Sequence, residues 1–186
     1  MEEAAARDGF PIVGPAAGYF CYLIARISDA RSVFELGSGF GYSTAWFARA
    51  VRENGGGTVH HSVWDEDLSR RARGHLEALG LADLVTFHVG ESVAALSATD
   101  GTFDLVFNDI DKAAYPASLD VIGARLRPGG VLIVDNVLWS GRIFDDEDQS
   151  AATAGVRALT QRVTSSPDWT ASVVPIRDGL LVARRN

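Results

Sequence analysis

Short runs rich in apolar and β-branched residues, each long enough for one strand and each followed by a stretch of helical periodicity, recur along this chain and dictate its class. The runs are SVFEL (32–36), TVHHSVW (58–64), LVTFHV (84–89), FDLVFND (103–109) and VLIVDN (131–136). Strands of this kind are covered on both faces, which a sheet achieves when crossover helices pack above and below it. The segments between them supply those helices: 16–27, then 43–52 opened by Ser43 and Thr44, 68–79 closed by Gly80, a short one over 92–96, 115–126 and 151–164. RPGG (127–130) reads as a turn, and ASVVPI (171–176) and LLVARR (180–185) read as two last strands. Asp178-Gly179 between them predicts a tight hairpin, with the final strand antiparallel to its neighbour. The expectation is one α/β domain over 1–186 with a mostly parallel sheet and helices on both faces. A chain of 186 residues, 47% of them hydrophobic, can bury the core this needs.

Charge and cysteine usage exclude several classes. The formal net charge is −7 and the arginines are scattered, whereas nucleic-acid binders cluster Lys and Arg on one surface. No nucleic-acid partner is expected. Cys21 is the single cysteine, so one chain can form neither a disulfide framework nor a thiolate zinc site. The acidic opening MEEAAARDG is unlike a signal peptide and no apolar run is long enough to cross a bilayer, so the expected setting is cytoplasmic, without membrane contact.

In open α/β sheets the ligand sits beyond the carboxyl ends of the strands, and four of those ends carry unusual residues. The first continues as Glu35-Leu36-Gly37-Ser38-Gly39-Phe40-Gly41-Tyr42-Ser43-Thr44. Glycines let the backbone turn and approach a ligand, and the helix N-terminus behind them offers free N–H groups to an anion. The spacing is GxGxG, not the GxGxxG of dinucleotide sites, and the same loop is also compatible with a plain strand-to-helix turn. The fourth strand ends in FNDIDK, with Asp109, Asp111 and Lys112 together, and the fifth in Asp135-Asn136. Two carboxylates and an amide on neighbouring strands suit a hard divalent cation such as Mg²⁺. Strand and turn capping is the plainer reading of either pair alone.

ELGSGFGYST, FNDIDK and VDNVLWSG, in this order, resemble the metal-dependent, catechol-type O-methyltransferases that use S-adenosylmethionine, including the caffeoyl-CoA and small bacterial branches. The likeness runs from GFPIVGP (9–15) to DGLLVARR (178–185). It implies a Rossmann-like class I methyltransferase fold with a seven-stranded sheet, a small hydroxyl-bearing acceptor and a homodimer. It also implies Asp109, Asp135 and Asn136 as metal ligands, Lys112 as general base, Asp111 as a supporting or capping residue, and Glu35, Gly37, Ser38, Gly41, Tyr42 and Ser43 around the cofactor's methionine part, with Asp109 adjoining it. Trp139 is expected to wall the acceptor site, and GFPIVGP to line the cofactor cleft or pack as a Pro/Gly loop.

The chain also departs from the family. Val63 stands where relatives hold the ribose with an acidic residue, leaving Asp65 either to reach the ribose or to cap the next helix. Glu91 and Ser92 stand where the family contacts adenine, and also suit a helix start. TASVVP replaces the local sequence in which catechol-specific relatives carry a glutamate, and the segment before the first strand is short. The implied acceptor is therefore a molecule with two neighbouring oxygens, not catechol in particular. His60 and His61 point to opposite strand faces, and His75 and His88 have no partner at metal spacing. Asp145–Asp148 reads as a solvated loop leading into a helix N-terminus. Two other classes use the same sheet: a non-catalytic S-adenosylmethionine binder and a nicotinamide-dependent oxidoreductase.

Overall fold

The computed structural model describes residues 1–186. In chain order the elements are α1 (Glu2–Asp8), α2 (Gly14–Ile27), β1 (Ser32–Leu36), α3 (Tyr42–Glu53), β2 (Thr58–Val63), α4 (Glu66–Ala78), β3 (Val85–Val89) and α5 (Ser92–Ala98). They continue as β4 (Phe103–Asn108), α6 (Tyr115–Arg125), β5 (Leu126–Val134), α7 (Ala151–Ser165), β6 (Trp169–Val174) and β7 (Leu180–Arg185). Short 3-10 segments occupy 112–114 and 139–144. No helix is long and apolar enough to cross a membrane.

The seven strands form one sheet in the order β3-β2-β1-β4-β5-β7-β6. Pairs β1–β2, β1–β4, β2–β3 and β4–β5 are parallel, and β7 lies antiparallel between β5 and β6. Side chains alternate across the pleat, so each strand feeds two cores. Val33, Leu105, Phe107 and Ile133 face Ala17 and Cys21 of α2 and Phe47 and Val51 of α3. Phe34, Val106, Leu132 and Val134 face the other way, against Leu96 of α5, Ile122 of α6 and Leu159 of α7. Strand order reverses between β1 and β4, and in sheets of this kind that reversal opens a crevice at the strand ends.

Three local outcomes differ from expectation. RPGG is not a free turn: β5 begins at Leu126, pairs with Phe103, and crosses an irregularity between Phe103 and Leu105. Helix α1 has only Ala5 buried, so it left no periodic signal; Tyr42 Oη donates to its Glu2 at 2.7 Å. Pairing of β2 with β3 brings His60 Nδ1 to 2.9 Å from His88 Nε2, a partnership that linear spacing hides.

Candidate active site

The end of β1 and the end of β4 touch. Asp109 N donates to Leu36 O at 2.9 Å, and a Cβ on Gly37, which has φ of 86°, would fall 2.4 Å from the Asp109 carbonyl oxygen. Glycine is required there by both contact and backbone. Beyond it Ser38 Oγ accepts from Ser62 N at 3.0 Å, tying the loop to β2. Gly41, φ 90°, is the N-cap of α3 and brings no capping side chain. The first-turn N–H groups of α3 therefore keep their capacity to bind an anion.

A cavity of about 560 Å³ opens over these strand ends, lined on one side by Gly37, Ser38, Tyr42 and Ser43. Its other side carries Asp109, Asp111, Lys112, Asp135, Asn136 and Trp139. Phe10 to Val13 close it, so the GFPIVGP segment lines the cleft. Glu35 lies beneath the loop, fully buried, where Thr44 Oγ1 donates to it and in turn contacts His61 Nδ1 at 3.0 Å. Three further residues expected at the cofactor stand at helix starts: Asp65 caps α4 by accepting from Leu68 N at 2.8 Å, Glu91 caps α5 by accepting from Val93 N at 2.9 Å, and Ser92 is the first residue of that helix. None of the three lines the cavity.

Lys112, nearly buried, donates to Asp109 Oδ1 at 2.6 Å and to Ile110 O at 3.2 Å. Asp111 caps its short 3-10 turn by accepting from Ala113 N at 3.0 Å. Asp135 is 4% exposed, and its backbone carbonyl accepts from Tyr115 Oη at 2.9 Å. Burial raises both Asp109 and Asp135 above the ordinary carboxylate value; Lys112 opposes the rise at Asp109, and the Asp109 charge adds to it at Asp135. Half-buried Asp109 has the Lys112 ammonium as its partner, whereas buried Asp135 has no cation in ion-pair contact, and the Arg177 charge reaches both from across the cavity. Asp109, Asp135 and the Asn136 amide are hard oxygen donors that fit a divalent cation in that place. No group of three or more His, Cys, Asp or Glu side chains is arranged to hold an ion.

The backbone is strained around the same cavity. Five non-glycine residues have positive φ, and Asn136 (56°), Trp139 (48°) and Arg177 (52°) are among them and line it. Asp178 holds this corner, accepting from Ser140 N and, at 3.3 Å, from Asn136 Nδ2. Asp148, expected in a solvated loop, instead pairs with Arg142 at 2.6 Å and accepts from Thr153 Oγ1 at 2.7 Å, anchoring the Trp139 segment to α7. Arg177, Asp178 and Tyr115 were not legible as site residues, because only β7's position beside β5 and the packing of α6 bring them here.

Burial also pushes Glu35 up to about 7, against hydrogen bonds from Ser43, Thr44 and Ser38. The folded chain then holds this proton more tightly than the unfolded one. The associated stability is whole below the ordinary value of 4.5 and is lost as pH rises through about 7. Glu35→Gln, which cannot ionise, is expected to remove roughly 3 kcal/mol of this loss between those limits. Urea unfolding of parent and variant at the two ends of the window measures it, and parallel pH profiles would refute it.

Comparison with known proteins identifies the family. A model described as O-methyltransferase matches residues 5–186. The catechol O-methyltransferase of Niastella koreensis is 31% identical over 158 residues, 82% of this chain and 71% of that protein. The O-methyltransferase from Bacillus cereus, solved with S-adenosylhomocysteine, superposes with a TM-score of 0.90 at 29% identity, covering 99% of this chain and 88% of that one. The O-methyltransferase of tomaymycin synthesis from Streptomyces achromogenes, solved with S-adenosylmethionine, gives 0.88 at 29% identity, covering 99% and 86%. With the family model spanning nearly the whole chain, this protein belongs to the O-methyltransferase family of enzymes.

Proposed function

We propose that the protein transfers a methyl group from S-adenosylmethionine to a hydroxyl of a small aromatic acceptor with two neighbouring oxygens. In this reading Asp109, Asp135 and Asn136 hold Mg²⁺ and Lys112 is the general base. The observation that carries it is the pair of carboxylates at adjacent strand ends, Asp109 joined to Lys112 and Asp135 buried, facing an uncapped helix N-terminus across the same cavity.

The chain's residues divide the work. The free N–H groups at the start of α3 suit the cofactor's carboxylate, and Ser38, Tyr42 and Ser43 lie beside them. Methyl transfer is an in-line displacement at a sulfonium carbon, so alignment and exclusion of water dominate its rate. When bound, the cation would chelate two acceptor oxygens and make the reacting hydroxyl more acidic. Lys112, which donates to Asp109 as an ammonium, would act as base only after giving one proton to solvent; a cation held by Asp109 would replace that ammonium as the carboxylate's partner, and the neutral amine would stand at the cavity to take the hydroxyl proton. Trp139 and the Phe10–Val13 segment supply apolar walls for an aromatic ring and keep water out. The ribose has no carboxylate at Val63, and Asp65 is already engaged as a cap. Homodimerisation belongs to the same proposal by family resemblance, and sedimentation tests it.

Calorimetric titration of S-adenosylhomocysteine and transfer assays on vicinal diphenols, with chelator and with Mg²⁺ restored, test the function. Transfer is expected to disappear on chelation and return with Mg²⁺. Transfer indifferent to chelation would remove the metal from the mechanism. Cofactor binding without transfer to any hydroxyl would favour a non-catalytic binder.

A further inference from the structure

Arg177 occupies the turn between β6 and β7 at φ 52°. Left-handed backbone at a residue with a Cβ costs about 1 kcal/mol or more relative to glycine, so a long side chain kept there invites a functional explanation. The side chain is exposed but tethered. Its Nη1 donates to Ile12 O at 2.6 Å, and its Nε, Cδ and Cζ would be 3.4 to 3.5 Å from a Cβ placed on Gly14. Residues 12 and 14 thus hold a guanidinium from the far end of the chain at the edge of the cavity.

Its charge acts on Asp109 and Asp135 across the cavity, but no carboxylate pairs with it directly. Among the cavity's charged groups, Lys112 pairs with Asp109, whereas Arg177 has no carboxylate within ion-pair distance. The neighbouring Asp178 is turned away, its two oxygens accepting from Ser140 N and Asn136 Nδ2. Arg177 has used one of its N–H donors on Ile12. A planar guanidinium with free donors matches a carboxylate or a phosphate in shape, and a single such cation balances the one charge of a carboxylate but not the nearly double charge of a phosphate. The start of α3 already offers N–H groups for the cofactor's own carboxylate, and Arg177 lines the cavity beside Asp178, which is the residue that holds Asn136 and the Ser140 backbone.

We propose that Arg177 is a specificity-determining residue that binds a carboxylate on the methyl acceptor, so that the preferred acceptor is an aromatic vicinal diphenol bearing an acid group. This rests on the function proposed above and adds the acceptor's charge to it. The experiment compares 3,4-dihydroxybenzoate with its uncharged methyl ester, in the parent, Arg177→Gly and Arg177→Lys proteins, in the presence of Mg²⁺. Glycine suits the backbone at this position, so the first variant relieves strain instead of adding it.

In Arg177→Gly, kcat/KM for the acid is expected to fall about 10- to 100-fold, the worth of a charge-assisted hydrogen-bonded pair, while the ester changes less than about threefold. Arg177→Lys should fall between, since it keeps the charge and loses the fork. Equal losses on acid and ester would mean that Arg177 only ties residue 12 to the turn, and would overturn the inference. Weakened S-adenosylhomocysteine binding in Arg177→Gly would reassign the guanidinium to the cofactor and overturn it too. A parent that methylates neither diphenol would overturn the proposed function itself, an outcome distinct from both.

Discussion

Lys112→Ala is expected to lower kcat/KM by about 10²- to 10⁴-fold at saturating Mg²⁺, the range that a positioned general base contributes. The lysine is held on its own 3-10 turn, with Asp111 as cap and Asp109 Oδ1 at 2.6 Å from Nζ. Its ammonium lies 5.0 Å from the Tyr115 ring centroid and 5.9 Å from that of Trp139, so its position is set by aromatic walls as well as by charge. Alanine at this position removes the proposed proton acceptor and leaves Asp109 without its ammonium partner. The same variant should therefore bind Mg²⁺ more tightly while turning over more slowly, and S-adenosylhomocysteine affinity should hold. Rate measurements with metal and cofactor titrations read the three quantities separately. A loss of less than fivefold in kcat/KM would remove Lys112 from the proton path.

Gly155→Ala tests how that lysine is positioned from a distance. Gly155 lies in α7 against the Lys112 turn, and a Cβ there would sit 2.1 Å from Lys112 O and 3.1 Å from Ala113 Cα. Both are backbone atoms, so neither can yield as the end of a flexible side chain could. Overpacking of this sort costs about 1–3 kcal/mol, partly offset by alanine's better helix propensity, about 1 kcal/mol. The turn must move, and a displacement on the order of 1 Å at a reacting group can cost about 10²-fold in rate. The expected result is a destabilised protein whose kcat falls about 10²-fold with little change in cofactor affinity. Gly74→Ala is the control: it is also in a helix, meets nothing within 4 Å, and should stabilise by up to about 1 kcal/mol without touching the rate. Equal behaviour of the two variants would separate α7 packing from catalysis.

The sheet was legible in the chain because its signals are local. Apolar strand runs, the helix-period segments between them, the glycine loop after β1 and the Asp-Gly turn before β7 each report the backbone conformation of their own few residues. Strand ends inherit that clarity, which is why Asp109, Lys112, Asp135 and Asn136 could be named from the sequence and lie around one cavity. Residues whose roles depend on register were hidden. Asp65 and Glu91 carried the right chemistry for a ligand, but their carboxylates satisfy the N–H groups of the helices they begin. His88 looked solitary until β3 paired with β2. Gly155 gives no local signal within its helix, and Arg177 lies in the hairpin turn; their roles arise only where α7 meets the Lys112 segment and the hairpin meets residue 12. Sequence alone determined the alternation of elements and the chemistry at their ends, because periodicity is a property of neighbouring residues. Only the tertiary structure decided which distant groups share the cavity, because strand order and helix packing are settled collectively, by burial of two cores on opposite faces of one sheet.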